Sequence, residues 1–308
     1  MITTIYVLHL KSKKSIHPQA YKKNYKKRCK TYSFYDIIYP EGRKMRTNFH
    51  THTYRCNHAW GTEEDYVLEA IKNGLSVLGF SDHGPFPDRD FGLRMQYDEL
   101  ADYVGTINEL KERFADRLKI YSGLEIEYHK KYNDYYDFLL KEGGLDYLVL
   151  GQHNYTDSYG DIRYISSFSG TEDYPEYAES VAEAIESGFF KIAAHPDIFY
   201  KNPFAWDENC EKAADIIIAA AERNKICLEV NANGFRRGKS YFPDGMRFQY
   251  PVDRFWKKVR GKNINVTVGS DCHTTEQLWD HHIDVAYKYC KDLRLNIIYD
   301  IFSKENDL

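Results

Sequence analysis

The chain has 308 residues, of which 43% are hydrophobic and 16% aromatic, and this composition predicts a sizeable packed core rather than a disordered chain. Its charge is uneven: residues 1–44 hold 11 Lys and Arg against two carboxylates, whereas residues 45–308 hold 31 against 44. An acidic body argues against nucleic acid as its partner, because phosphate backbones require a positive surface.

The first 44 residues form a basic N-terminal extension that is rich in Lys and Tyr and shows no clear helical periodicity. Three interpretations of it remain open. It is a mobile, solvated tail, an arm for nucleic acid or a membrane surface, or an artefact of a start site upstream of Met45. Residues 45–308 are predicted to form one domain, because no linker or repeat interrupts them.

From residue 46 onward, short apolar runs alternate with helical stretches. Strands are predicted at residues 47–49, 77–81, 119–126, 147–151, 191–194, 226–230 and 265–269. Helices are predicted between Thr62 and Gly74 and at residues 98–114, 135–140, 171–187, 207–223, 252–259 and 276–292. Repeated strand–helix alternation with apolar strands predicts a parallel α/β fold. A closed (β/α) barrel fits this number of strands better than an open sheet.

Six scattered cysteines without a CxxC pair indicate reduced thiols rather than a disulfide framework. No apolar run approaches the roughly 18 residues of a membrane span, and the N-terminus lacks the order of a secretory signal. The sequence therefore predicts a soluble, cytoplasmic protein with no membrane partner. It makes no prediction of the oligomeric state.

Histidines and carboxylates follow the predicted strands at the point where each strand ends, which is where a (β/α) barrel builds its active site. These residues are His50, His52, His83, Glu125, Glu127, His153, His195, Asp271 and His273, with His58 in the loop after the first strand. The sixth strand instead offers Glu229 and Asn231. Seven of the 12 histidines belong to this set. Imidazoles with bridging carboxylates suit Zn, Mn or Fe, whereas Mg and Ca prefer oxygen ligands.

The same residues stand in six motifs: HTHTYRCNH, SDHG, GLEIE, GQH, AHPD and GSDCH. In this order the motifs resemble the series of the PHP (polymerase and histidinol phosphatase) family over roughly residues 46–275. The resemblance implies that residues 45–308 form a distorted (β/α)7 barrel that holds two or three divalent ions. It implies three ligand sets: His50, His52, Glu125 and Asp271; Glu125, as a bridge, with His153 and His195; and His58, His83 and His273.

Several residues near these ligands have other interpretations. Glu127 shares a strand face with Glu125, and the choice between them depends on the family's G-x-E pattern. The alternative is that Glu127 supports the ligands or faces the substrate. Cys56 and Cys272 lie beside ligands and are expected to be free thiols. Three further histidines are expected to face solvent: His129, His281 and His282.

The implied chemistry is hydrolysis of a phosphate monoester by a hydroxide held between the ions, which attacks phosphorus in line. The phosphate also needs cationic contacts from outside the metals. Arg236 and Arg237 after the sixth strand are candidates, with a solvated Arg pair as the alternative. Arg163, after His153, and Arg94, after His83, are further candidates.

The loops at residues 83–100 and 151–161 resemble those of the histidinol phosphate phosphatases, which implies L-histidinol phosphate as the substrate and a role in histidine biosynthesis. Competing hypotheses are another PHP phosphoesterase acting on phosphotyrosine or a nucleotide phosphoester, a non-catalytic metal-binding module, and a metal-dependent amidohydrolase. The acidic body disfavours a nuclease. The complete ligand set disfavours a non-catalytic module. GQH at the fourth strand, where an amidohydrolase usually places a bridging Lys, disfavours the last hypothesis.

Overall fold

The structure is a computed structural model that describes residues 45–303. These residues lie within one compact unit. The predictions for the basic N-terminal extension lie outside the described residues. Within residues 45–303, every helix is too short or too polar to cross a membrane.

Strands and helices alternate along the described chain. The strands are β1 Thr47–Asn48, β2 Val77–His83, β3 Lys119–Ile126, β4 Tyr147–Leu150, β5 Asn154–Thr156, β6 Ile162–Tyr164, β7 Ile192–Ala193, β8 Cys227–Asn231, β9 Lys239–Phe242, β10 Gly245–Phe248, β11 Asn265–Gly269 and β12 Asn296–Ile297. The α-helices are α1 Glu63–Lys72, α2 Leu100–Arg113, α3 Asn133–Lys141, α4 Tyr174–Glu186, α5 Glu208–Asn224, α6 Ala232–Arg236, α7 Asp253–Val259 and α8 His281–Asp292.

Eight strands pair in parallel in the order β1-β2-β3-β4-β7-β8-β11-β12. Beyond the ends of β1 and β11, Thr51 forms a parallel bridge with Cys272. The Asp271 N–H also donates to the His50 carbonyl at 2.9 Å. These contacts close the sheet into a distorted barrel, so the predicted fold class is confirmed. The short strand β12 was missed, because two residues carry no periodic pattern.

The first helix begins and ends as its sequence predicts. The Thr62 hydroxyl accepts a hydrogen bond from the Asp65 N–H, and the Asp65 carboxylate accepts one from the Thr62 N–H, which forms a capping box. Gly74 follows the helix with φ of 69°, a conformation that glycine adopts without strain. The predicted start of the last helix was wrong, because the Asp280 side chain caps α8 at the His282 N–H.

The barrel interior is filled by a small apolar cluster beneath the strand ends. Its members are Phe49, Val77, Tyr147, Val149, Ile192, Ala194 and Cys227. The Tyr147 hydroxyl lies 2.9 Å from the carbonyl oxygens of both Phe49 and Phe80. Its ring fits because Gly79 and Gly123 carry no side chain: a Cβ there would lie 2.3 and 2.5 Å from Tyr147 atoms. A larger apolar cluster packs the helices onto the outside of the strands.

We expect Gly123→Ala to lower the free energy of unfolding by about 1–3 kcal/mol, the usual cost of overpacking a filled core. Its new methyl group would overlap the Tyr147 ring, which is fixed by two carbonyls. Chemical denaturation followed by circular dichroism measures the change. Gly105→Ala is the matched control, because a Cβ at this position in α2 meets nothing within 4 Å. Equal destabilisation by both variants would contradict the close packing at Gly123.

Candidate metal centre

All nine side chains that the sequence singles out as metal ligands converge at the carboxyl ends of the barrel strands. Each lies at the end of a strand or in the loop that follows it, because parallel strands place these ends on one face of the barrel. Their contacts fall into three overlapping groups.

The first set, called here the HxH group, consists of His50, His52, Glu125 and Asp271. The Nε2 atoms of His50 and His52 lie 3.1 Å apart, since side chains at i and i+2 of an extended segment point the same way. His52 Nε2 lies 3.2 Å from Asp271 Oδ1. Glu125 Oε2 lies 3.4 Å from both of these imidazole nitrogens. Four potential donor atoms thus face one small volume.

The second set, called here the bridge group, consists of Glu125, His153 and His195. Glu125 Oε1 lies 2.9 Å from His195 Nε2 and 3.8 Å from His153 Nε2. Because the other oxygen of Glu125 faces the HxH group, this carboxylate joins the two groups. The resemblance to the PHP family implied the same bridging position for Glu125.

The third set, called here the three-histidine group, consists of His58, His83 and His273. The Nδ1 atoms of His58 and His273 lie 2.8 and 3.2 Å from the backbone carbonyls of Cys56 and Asp271. Because a carbonyl only accepts, each Nδ1 carries the proton and each Nε2 keeps a lone pair. These two Nε2 atoms face one another at 2.9 Å.

Burial and neighbouring charges divide the imidazoles by pKa. Burial opposes protonation of His52, but hydrogen bonds to Asp271 and Asp82 outweigh it and raise its pKa to about 9. Burial likewise opposes the charge on His50, and the carboxylates of Glu229 and Glu125 raise its pKa. For His273, burial and the adjacent His52 lower the pKa to about 4. Burial likewise lowers the pKa of His83, so carboxylates dominate the pKa at His50 and His52 and burial dominates it at His83 and His273.

The donor set fits divalent transition-metal ions. Pairs of imidazole lone pairs face each other, and within residues 45–303 the buried Glu125 Oε2 has no hydrogen-bonding partner in good geometry. A buried anion and converging lone pairs are unfavourable unless a cation lies between them. Imidazole and carboxylate ligands together suit Zn, Mn or Fe.

Backbone details support the same positions. A Cβ at Gly151 would lie 2.2 Å from Glu125 Oε1, so this strand end must be glycine for the Glu125 carboxylate to reach the centre. His195 and Asp271 have φ of 31° and 48°, values that residues other than glycine rarely adopt. Such backbone strain is concentrated at functional sites, where the surrounding structure holds it in place.

The four arginines proposed for phosphate binding take different positions. Arg237 lines the cavity above the ligands. Arg236 does not line it, because its guanidinium pairs with Asp280 at 2.7 Å and donates to the Ser270 and Gln277 carbonyls. Arg163 pairs with Asp173 at 3.0 Å in the β5–β6 hairpin, also away from the cavity lining.

Arg94 lines the cavity, but its guanidinium is already engaged. It makes two hydrogen bonds to the buried Glu127 carboxylate, at 3.0 and 3.2 Å, and one to the Gly84 carbonyl. Glu127 also lies 3.4 Å from His153 Nδ1. Glu127 therefore contacts a proposed ligand and anchors the loop after β2, as the alternative interpretation of this residue expected.

Seven of the nine proposed ligands, all but His50 and His52, line a cavity with a volume of about 510 Å³. Its other lining residues include the largely apolar side chains Phe91, Leu93, Tyr164, Ile198 and Tyr250 and the polar side chains Glu127, Asn154, Lys201, Asn233 and Gln277. Sequence analysis missed Lys201, which ends a short 3-10 helix after the AHPD motif, and Tyr250, which lies just before α7, because neither position belongs to a motif.

Two other interpretations can be compared with the structure. The expectation that His129 faces solvent was wrong: it is 2% exposed, and its ring nitrogens lie 3.0 Å from Thr156 Oγ1 and Asn154 Oδ1. The Cys56 thiol is buried beside His52 and His273, and burial raises its pKa. Its Sγ donates a hydrogen bond to the Thr53 carbonyl at 3.2 Å and forms no disulfide.

A parallel barrel with clustered imidazoles and carboxylates at its strand ends defines a barrel protein built around a metal centre. Residues 48–233 match the family model described as the PHP domain, so this chain belongs to the PHP family. Asp271 and His273 lie beyond the matched residues.

Named relatives cover most of the chain at low identity. A probable histidinol-phosphatase of Deinococcus radiodurans is 27% identical over 250 residues, which cover 79% of this chain and 92% of that protein. The histidinol-phosphatase of Bacillus subtilis is 26% identical over 270 residues, covering 78% and 95%. A solved histidinol phosphate phosphatase of Lactococcus lactis, complexed with zinc, L-histidinol and phosphate, matches with a TM-score of 0.62 at 18% identity. It covers 82% of this chain and 95% of that one, and shows that the fold is shared.

We expect Gly151→Ala to lower the affinity for divalent ions by more than about 10-fold, because the added methyl group displaces the Glu125 carboxylate. Titration of metal-stripped protein with Zn or Mn against a chelating dye measures the affinity. Gly105→Ala on the exposed face of α2 is the control and should bind as wild type. Unchanged affinity in Gly151→Ala would contradict the position of Glu125 described above.

Proposed function

We propose that this protein is a metal-dependent phosphatase that hydrolyses L-histidinol phosphate to L-histidinol and phosphate. The observation that carries the proposal is the convergence of imidazole and carboxylate atoms at the floor of a cavity of small-molecule size. Two or three Zn, Mn or Fe ions would be held by His50, His52, His58, His83, Glu125, His153, His195, Asp271 and His273. Residues 45–308 would form the phosphatase domain.

Clustered ions of this kind supply positive charge for the phosphoryl oxygens and lower the pKa of water. The chain's own side chains hold the ligand atoms in place. Glu125 sets the separation of the HxH group and the bridge group, because it faces both. Glu127 orients His153 through its Nδ1 atom. Buried imidazoles whose orientation is fixed in this way need little rearrangement as the reaction proceeds.

Two cationic side chains in the lining of the same cavity support phosphate binding there. Arg237 and Lys201 both line it, and they lie close enough that Arg237 adds to the effect of burial in lowering the pKa of Lys201. Within the described part of the chain, neither side chain forms an ion pair with a carboxylate. A guanidinium fork matches the oxygens of a phosphate, so Arg237 is the strongest of the original arginine candidates.

The choice of substrate is supported by the relatives. Two of them carry the name histidinol-phosphatase, and the Lactococcus lactis structure contains L-histidinol and phosphate. The cavity also offers aromatic and apolar surface from Phe91, Tyr164 and Tyr250, on which an imidazole ring can stack. With this substrate the protein would act in histidine biosynthesis in the cytoplasm, on a small-molecule partner.

Phosphate release tests the proposal directly. We expect metal-stripped protein reloaded with Mn, Zn or Fe to release phosphate from L-histidinol phosphate and to be far less active on phosphotyrosine or a nucleoside 3′,5′-bisphosphate. His52→Ala should abolish release, because it removes the imidazole that would bind the same ion as Glu125 and Asp271. A preference for phosphotyrosine or the bisphosphate would be consistent with the proposed metal centre but would refute L-histidinol phosphate as the substrate. Inactivity of ion-loaded wild-type protein on all three would refute the phosphatase.

We expect Arg237→Ala to reduce kcat/KM by about 10- to 100-fold, the value of one or two hydrogen bonds to a charged group. Inhibition by inorganic phosphate should weaken with it, because the same guanidinium would contact the product. Steady-state kinetics with phosphate as inhibitor measures both. Arg236→Ala is the matched control: its folded fraction should keep the wild-type KM, while its melting temperature falls with the loss of the Asp280 pair. Weaker inhibition by phosphate in Arg236→Ala but not in Arg237→Ala would instead assign phosphate binding to Arg236.

A further inference from the structure

Among the described strands from β1 to β11 of the barrel, β8 is the one whose carboxyl end supplies none of the nine proposed ligands. It nevertheless carries two buried polar side chains there, Glu229 and Asn231, which are 1% and 2% exposed. They are two residues apart on one strand, so both point to the same face. A buried carboxylate and a buried amide must find partners.

Glu229 contacts the outer nitrogen of a proposed ligand. Both of its carboxylate oxygens lie 2.9 Å from His50 Nδ1. Because a carboxylate only accepts hydrogen bonds, this contact places a proton on Nδ1 and leaves the Nε2 lone pair facing His52. Glu229 thus fixes which nitrogen of His50 is available to an ion, as well as the orientation of the ring.

The neighbouring strand leaves room for this carboxylate. Gly269 on β11 pairs in register with Asn231, and a Cβ at Gly269 would lie 1.4 Å from Glu229 Oε1. No side chain could stand at position 269 without displacing Glu229. The contact between Glu229 and His50 therefore depends on β8, which carries Glu229, and on β11, where Gly269 leaves space for the carboxylate.

Asn231 acts on the other side of the HxH group. Its Nδ2 donates to Asp271 Oδ2 at 3.1 Å, and Asn233 Nδ2 donates to the same oxygen at 3.2 Å. With Oδ2 engaged by two amides, Asp271 presents Oδ1 to His52 at 3.2 Å. The same amides help to hold Asp271 in its unusual backbone conformation, with φ of 48°.

We infer that β8 is the positioning strand of the metal centre: Glu229 orients His50, Asn231 orients Asp271, and neither side chain is a ligand. The inference rests on the metal binding that belongs to the proposed function, and it is independent of the substrate. Partners of this kind hold a histidine in one tautomer and raise its basicity, and their loss weakens metal binding without removing a donor atom.

The full-length variant Glu229→Gln keeps the shape of the side chain and removes its charge. We expect its affinity for Zn, measured by competition with a chelating dye, to fall by about 10- to 100-fold, and that of Asn231→Ala to fall by about 10-fold. A glutamine also offers an N–H toward His50 Nδ1, so the His50 ring should shift toward the form protonated at Nε2. Two-bond ¹H–¹⁵N correlation spectra of the metal-free protein report this tautomer.

Glu63→Gln is the matched control, because Glu63 is a buried carboxylate, 2% exposed, that pairs with Arg55 instead of a proposed ligand. It should lower stability and leave both Zn affinity and the His50 tautomer unchanged. Zn affinity and a His50 tautomer in Glu229→Gln equal to those of wild type would overturn the inference. Failure of the wild-type protein itself to bind Zn, Mn or Fe would instead refute the proposed metal binding.

Discussion

The buried carboxylate of Glu125 is the group around which the rest of the site is arranged. It is 1% exposed, and its oxygens face five imidazoles, those of His50, His52, His83, His153 and His195. An anion at this depth is very unfavourable without compensating charge. The strands on either side therefore end in groups that share a cation or proton with it, and Gly151 leaves the space that it occupies.

The barrel beneath the site gives these groups a rigid support. Tyr147 fills the interior and fixes the Phe49 carbonyl, which directly precedes His50 in the chain. The position of the HxH segment is thereby tied to the packing of β2, β3 and β4. Close packing of this kind resists small displacements. The positions of the proposed ligands thus depend on side chains that have no chemistry of their own.

Much of this arrangement could be predicted from the sequence, because strand–helix alternation and strand-end histidines are local patterns. The seven strands from β1 to β11 in the barrel and the meeting of all nine proposed ligands follow from those patterns. The roles of the arginines did not follow, because Arg236 and Arg237 are adjacent in sequence but face Asp280 and the cavity, respectively. Partners more than 30 residues away decide that difference. Lys201, Glu229 and the burial of His129 likewise depend on contacts between distant loops and strands, which no local pattern records.

The proposed metal centre lies beside the seam of the barrel, the place where β1 and β11 meet, so metal binding would also affect the closure of the barrel. Asn48 and Ser270, 222 residues apart in sequence, meet by a hydrogen bond at 2.9 Å where β1 and β11 come together. An ion shared by His50, His52 and Asp271 would fasten this seam just beyond that contact, much as a disulfide joins two distant parts of a chain. Unlike a disulfide, the ion would bind only where the fold brings these three side chains together, so its binding free energy would stabilise the folded chain. Removing the ion with a chelator would then also remove the link between the segments that follow β1 and β11, so the ion would help to keep the barrel closed.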